Sequence, residues 1–356
     1  MQGISEDAVT WAYRLFLDRE PEDGDIVRRV AQTLSTTQEL RHSLLRSDEF
    51  LARNSLHNPE NQSVFFHYAA SFDPIEVMQR HAARDVSERA DFLINFLGVA
   101  IDPKFFPSIL ADRRGKIEAI PIPANWHADI AEWGAALRAV DLSRDSFTVI
   151  ELGCGWGCWL NNTGVAARAL GREVTVIGIE GDEHHLGFAR ESLATNGFLP
   201  DQIVLHRGIA ASRSGVALFP RQDVPGTSWG SEPIFGASEQ QRQEAVESGA
   251  FDEVPMLALG ELMQEKRRVD LLHVDIQGGE ADLIEQSLAL LKERVAYIVI
   301  GTHSKQIEGR LYSALLSEGW QLEMERPAIF RLVDGTPEIL VDGVQGWRNP
   351  VLLPIE

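Results

Sequence analysis

Three stretches of this chain set glycines, carboxylates and a histidine at spacings that suit chemistry on a small ligand. The first is Glu151-Leu152-Gly153-Cys154-Gly155-Trp156-Gly157. Glycines in such a turn lack a Cβ, so the backbone can come close to a ligand. A helix starting just beyond would point its positive end at that ligand. A dinucleotide fingerprint needs its third glycine three residues after the second. That position is Cys158, and the third glycine arrives one residue earlier, at Gly157. The second stretch is Ile179-Glu180-Gly181-Asp182. A carboxylate here can accept hydrogen bonds from both hydroxyls of a ribose, with Gly181 and Asp182 beside the base. The third is Asp275-Ile276-Gln277-Gly278-Gly279-Glu280 together with Gly301-Thr302-His303-Ser304. An ordinary histidine pKa of about 6.5 suits His303 to accept a proton near neutrality. Asp275 would orient the reacting groups or a ligand ammonium, and Glu280 opens a helix, where an acid is favoured. Asp275, Glu280 and His303 could converge on a divalent ion, since magnesium sites need only one or two carboxylates plus water. No dedicated metal motif is visible, and Cys154 and Cys158 lack the histidine pair that zinc would want.

The elements around these stretches explain how they could meet. From Phe147 onward, β-branched runs alternate with helical ones. Strands are expected at Phe147–Leu152, Val174–Ile179, Gln202–His206, Val269–Val274 and Ala296–Gly301. Helices are expected near Trp156–Leu170, Asp182–Asn196, Glu280–Arg294 and Ile307–Glu318. Such alternation predicts a parallel sheet covered on both faces. Ligands bind such sheets at the carboxyl ends of the strands, where all three stretches lie. After the third strand, Arg207-Gly208-Ile209-Ala210-Ala211 would pack small and apolar groups, Ile209 among them, on a base. Val224–Phe235, rich in Gly, Ser and Pro, would form a loop over the site, with Trp229 as a stacking surface or simple packing.

The glycine turn with an acid two residues before it resembles motif I of Rossmann-like methyltransferases. Together with Glu180, the Asp275–Glu280 segment, Thr302-His303-Ser304, Glu308-Gly309 and Glu318-Gly319-Trp320, it is similar to the FkbM family of methyltransferases, over about Phe147–Glu325. One departure is Gln277, where the family often has Glu. The resemblance implies an α/β, Rossmann-like class I methyltransferase sheet at 146–356 that binds S-adenosyl-L-methionine. Glu151, Gly153, Cys154, Gly155, Gly157, Glu180, Gly181, Asp182, Ile209 and Asp275 would hold the cofactor. His303, Asp275 and Glu280 would serve methyl transfer to a hydroxyl of a sugar, glycan or polyketide-type acceptor. A nicotinamide-dependent oxidoreductase on the same sheet, and a noncatalytic scaffold, are the rival readings. The missing glycine at Cys158 counts against the first and the intact motif against the second.

The rest of the chain carries less chemistry. Residues 1–56 read as a small all-α module. Helices are expected at Ala8–Leu17 and Ile26–Leu34, and a third from Thr36 or Thr37, capped by threonine with Glu39 three residues on. Tyr13-Arg14-Leu15-Phe16-Leu17-Asp18-Arg19-Glu20-Pro21 and Ser47-Asp48-Glu49-Phe50 resemble a short bacterial helical domain of unknown function. Residues 57–145 read as a helical linker region opening on His57-Asn58-Pro59-Glu60-Asn61-Gln62, with helices expected at Asp85–Leu97 and Ala128–Val140. The formal net charge of -20 over 356 residues disfavours a phosphate backbone as partner. Two cysteines, no apolar run of membrane-spanning length and no leader pattern in Met1–Arg19 predict a cytoplasmic protein, with homo-oligomerisation left open.

Overall fold

The computed structural model describes residues 4–53, 63–222, 224–263 and 266–354. The chain divides into two compact units, Met1–Phe66 and His67–Glu356. The linker expected at His57–Gln62 lies outside the described residues. Among the described residues no helix is long and apolar enough to cross a membrane.

In the first unit, helices span Glu6–Leu17, Gly24–Thr33 and Thr37–Leu45, followed by a short one at Asp48–Arg53. Each of the first three starts on a side-chain cap. Ser5 accepts from the Ala8 N–H, Asp23 from that of Ile26, and Thr36 with Glu39 forms a reciprocal capping box. Val9, Ala12, Leu17, Val27, Leu40 and Leu44 form the core, with Tyr13, Phe16 and Phe50 packed against it. The helical spacing of Val9, Ala12, Tyr13 and Phe16 therefore marks the buried face.

The second unit is built on a sheet of eight strands. Five run parallel: β1 (Ser146–Leu152), β2 (Glu173–Glu180), β3 (Ile203–Arg207), β4 (Leu271–Val274) and β5 (Tyr297–Thr302). They stand in the order β3-β2-β1-β4-β5, and the sheet continues with β7 (Gly343–Arg348) between β5 and β6 (Gln321–Arg326). β7 is antiparallel to both neighbours, and the short strand Ala69–Ala70 closes the far edge. β1, β4 and β5 are buried at nearly every position, as strands covered on both faces must be.

Helices Cys158–Ala169, Glu183–Thr195, Glu280–Arg294 and Lys305–Ser317 are the crossovers. Ile150, Leu152, Ile177, Leu272, Val274, Ile284, Ile298 and Ile300 belong to one apolar cluster between sheet and helices. Register decides where the chemistry lies: Leu152 pairs with Ile179 and with Val274, and Val274 with Ile300. The residues just beyond these pairs, Gly153, Glu180, Asp275 and Gly301, consequently line one edge.

The structure corrects the helix expected at Asp85–Leu97. That stretch holds a turn and the strand Leu93–Ile94, which pairs with Ala100–Ile101. Five consecutive residues, Leu93 to Leu97, are buried, so the run has no helical face. Asn95 also accepts from the backbone N–H of Leu97 and Val99, which closes a turn. The longer helices of this region are Pro74–His81, capped by Asp73, and Ile130–Asp141, close to the expected Ala128–Val140, with a single turn at Pro107–Leu110 between them. A three-stranded sheet of Ile209–Ala211, Gly215–Pro220 and Phe251–Ala258, and the hairpin Ile329–Val333 with Thr336–Val341, had no counterpart in the sequence reading.

Candidate active site

The glycine turn follows β1 directly. Its glycines take positive φ, 75° at Gly153, 51° at Gly155 and 77° at Gly157, a region other residues enter at a cost. A Cβ on Gly153 would stand 2.1 Å from the backbone oxygen of Asp275, so the turn and the end of β4 touch main chain to main chain. Gly153 and Cys154 both donate to the Ile179 carbonyl at 3.0 Å, which pins the turn to β2. The Cys154 side chain points inward: its sulfur lies where a Cβ on Gly178 would be 2.8 Å away. Only the backbone of Cys154 is left to face a ligand. Both thiols are buried, and that burial pushes their pKa values well up.

The two carboxylates of this half are tied to backbone N–H groups. Glu151 accepts from Trp159 at 3.2 Å and Leu160 at 3.0 Å, in the first turn of the following helix. Burial pushes its pKa up to about 7, against the pull of nearby His273 and of those N–H donors. Glu180 accepts from Gly155 at 2.8 Å with one oxygen and from Asp182 at 2.9 Å with the other. Each oxygen keeps a lone pair for another donor. Burial raises the pKa of Glu180 too. The helix cap is Asp182, which accepts from the His185 N–H at 2.9 Å. Gly181 is overlain by Phe219 and Ile209: a Cβ there would meet them at 2.7 and 2.9 Å.

The second half gathers Asp275, Glu280 and His303, whose ligand atoms all lie within 4.8 Å of one another. Asp275 leaves the end of β4 and keeps 43% of its side-chain surface open. Gly301, in the neighbouring strand, has no side chain to crowd it. His303 follows β5, with Nε2 3.3 Å from Asp275 Oδ1 and Nδ1 2.8 Å from Glu280 Oε1. Glu280 is completely buried and also accepts from the Gly278 and Ile276 N–H groups. Gln277, held at φ 55°, donates to Asp275 at 3.3 Å. Desolvation alone would lower the His303 pKa, but its bonds to Asp275 and Glu280 push it up to about 10. Desolvation likewise opposes ionisation of Asp275, yet His303, with His273 and His127 beyond it, holds its pKa below the usual value. Both bonds favour the protonated ring over the neutral one.

Over both halves lies the loop Val224–Phe235. The indole of Trp229 covers Gly155, where a Cβ would meet its Cζ3 at 2.8 Å. The ring is stacked between His185 (centroids 3.8 Å apart) and Phe106 (4.2 Å). Phe106 in turn meets Trp126 at 5.0 Å. Sequence reasoning pointed to Trp229 but missed Phe106, Trp126 and His127, which lie far upstream with no motif around them. Behind the turn, His273 is buried and bonded to Glu132 at 3.0 Å, which also accepts from the Trp159 indole at 3.1 Å.

Comparison with known proteins gives the arrangement its family. Residues 154–319 match the model of the methyltransferase FkbM domain. A protein of Jannaschia sp. (strain CCS1), named as a methyltransferase, is 45% identical over 275 residues, which are 77% of this chain and 98% of that one. Among solved structures, methyltransferase FkbM from Methylobacillus flagellatus KT is similar at 14% identity and a TM-score of 0.39, over 61% of this chain and 54% of that one. The N-terminal domain of human METTL16 in complex with SAH is similar at 13% identity and a TM-score of 0.35, over 78% and 95%. With its glycine turn, its Rossmann-like sheet and this relative, the chain belongs to the FkbM family of methyltransferases.

Proposed function

We propose that the protein transfers a methyl group from S-adenosyl-L-methionine to a hydroxyl of a small-molecule or glycan acceptor, of sugar or polyketide type. The observation that carries this reading is the meeting of the two halves at Gly153. A glycine-lined cradle with a buried carboxylate at its side adjoins the Asp275–His303 pair across close main-chain contact. The residues present fit the cofactor. Glu180 has lone pairs left for a ribose diol, and over Gly155, which has no side chain, stands only the ring of Trp229, a group able to swing aside. Gly181 and Ile209 stand beside the place for the base. When bound, the cofactor supplies a methyl group already activated on a sulfonium.

The protein then has to align an oxygen with that methyl and let its proton go. Alignment alone is worth ~7–11 kcal/mol in favourable cases. Asp275 and His303 form the open, polar end where a hydroxyl would bind, and the hydroxyl's proton would be lost there. Phe106, Trp126 and Trp229 add the aromatic surface that small-molecule sites commonly carry. The strongly acidic chain supports an uncharged acceptor rather than a nucleic acid.

The test has two steps. S-adenosylhomocysteine at ~100 times its dissociation constant should stabilise the protein by ~2.7 kcal/mol, and Gly155→Val should lose the shift. Labelled S-adenosyl-L-methionine with a panel of sugars should then yield an alkali-stable methyl ether. An unchanged shift in Gly155→Val would remove the cradle from the cofactor site, and methylation on nitrogen or carbon alone would overturn the hydroxyl acceptor.

A further inference from the structure

The Asp275–Glu280–His303 cluster has more acceptors than donors. Glu280 takes the Gly278 N–H on both oxygens, at 3.0 and 3.1 Å, and that of Ile276 at 3.3 Å. The ring Nδ1 of His303 lies 2.8 Å from its Oε1. An ionised carboxylate only accepts, so Nδ1 carries the hydrogen. With Nδ1 protonated, a neutral imidazole presents a lone pair at Nε2, and Nε2 faces Asp275 Oδ1 at 3.3 Å, an oxygen whose one donor among the described residues is the Gln277 amide, also at 3.3 Å. Two lone pairs so placed call for a positive charge shared between them. A second ring proton is one answer and a divalent metal ion is another.

Geometry and surroundings favour the ion. Ligand atoms bonded at ~2.1 Å to one metal stand about 3.0–3.4 Å apart in octahedral or tetrahedral arrangements, and 3.3 Å falls in that interval. A carboxylate behind the far nitrogen of a metal-bound histidine is the usual orienting partner, and buried Glu280 has that place. Independently, Nε2 of His127 is enclosed without a hydrogen-bond partner among the described residues.

We propose that His303 Nε2 and an oxygen of Asp275 bind a divalent cation, with Glu280 as the positioning residue that fixes the histidine tautomer. The other coordination positions go to water and, on the methyl-transfer reading on which this role rests, to two neighbouring oxygens of the acceptor. The acceptor class is then a vicinal diol or a hydroxyl beside a carbonyl. One imidazole with one carboxylate suits manganese, cobalt or zinc better than magnesium or calcium.

Mn2+ titrated into chelator-treated full-length protein, and followed by the paramagnetic resonance of the free ion, tests this directly. One ion per chain should bind, and Asp275→Asn and His303→Gln should each remove measurable binding. Glu280→Gln should weaken it ~10–100-fold. The thermal shift with S-adenosylhomocysteine should survive in His303→Gln and Glu280→Gln, which shows that both variants fold. Wild-type protein that leaves Mn2+ and Zn2+ free at millimolar concentration overturns the site, as does full affinity in folded His303→Gln. An ion bound without any cofactor shift would instead overturn the methyl-transfer reading and leave the metal site standing.

Discussion

The two halves of the site differ in whether an imidazole joins the partners of their carboxylates. In the glycine-turn half, Glu151 and Glu180 are satisfied by backbone N–H groups, two apiece, and neither has a side-chain cation as its partner. In the Asp275 half, Glu280 also takes backbone N–H groups and Asp275 the Gln277 amide, but both carboxylates share one imidazole. Backbone donors are fixed by the fold, so the first half is preorganised for a ligand whose shape does not vary. The second half shares one titratable imidazole between two carboxylates, so its interactions change with the charge on that ring. That difference fits a cofactor common to every turnover on one side and a reacting, proton-losing group on the other.

The contrast is broken most severely at its joint. Gly153→Ala places a Cβ on the Asp275 carbonyl, which is main chain and cannot swing away. The expected loss is about 4 kcal/mol or more, in the exceptional range for a single substitution, measured by denaturant unfolding. Gly155→Ala instead meets the Trp229 ring, a side chain that can move, and should fold with a much smaller loss. Equal stability of the two would show that the halves are not joined through Gly153.

The next largest effect is expected in the second half alone. His303→Ala should lower turnover ~10²-fold or more and leave S-adenosylhomocysteine affinity nearly unchanged by calorimetry. A comparable loss of cofactor affinity would mean that the halves are one site. In the first half, Glu180→Ala should weaken cofactor binding by roughly 1.5–3 kcal/mol with turnover at saturation little altered. Retained affinity would reduce Glu180 to a brace between Gly155 and Asp182.

The smallest effect sharpens the role of burial. The Glu151 pKa is raised to about 7 in the fold, so the folded state binds this proton more tightly than the unfolded chain does. Its contribution to stability is complete below the unfolded value near 4.5 and is lost as pH rises toward 7. Melting curves of wild type and Glu151→Gln should therefore diverge across that window, with wild type losing on the order of 1–3 kcal/mol relative to the variant. Parallel curves would mean that the helix N–H donors outweigh burial.

What the sequence made legible follows from distance along the chain. The glycine turn, Glu180 and the strand ends are local patterns, and the parallel register then aligns them without further information. The direction of the Cys154 side chain was not legible, because it depends on the packing of Gly178 in the next strand. Nor was the sheet containing Ile209–Ala211, whose three residues pair with Met256, Leu257 and Ala258 from a distant segment. His303 stood out by type, but its two carboxylate partners come from β4 and the helix behind it. Their joint effect raises the proton affinity above that of an isolated imidazole.

The stack of His185, Trp229 and Phe106 has a consequence for timing. The indole rests on Gly155. If the cofactor binds over that glycine as proposed, entry and exit would be gated: association could not outrun the departure of the ring, and product would leave only when the loop lifted again. Loop motions of this kind occur in microseconds to milliseconds and limit turnover in many enzymes. The pace of this protein would then be set by how tightly three aromatic rings hold together, independently of how fast a methyl group moves.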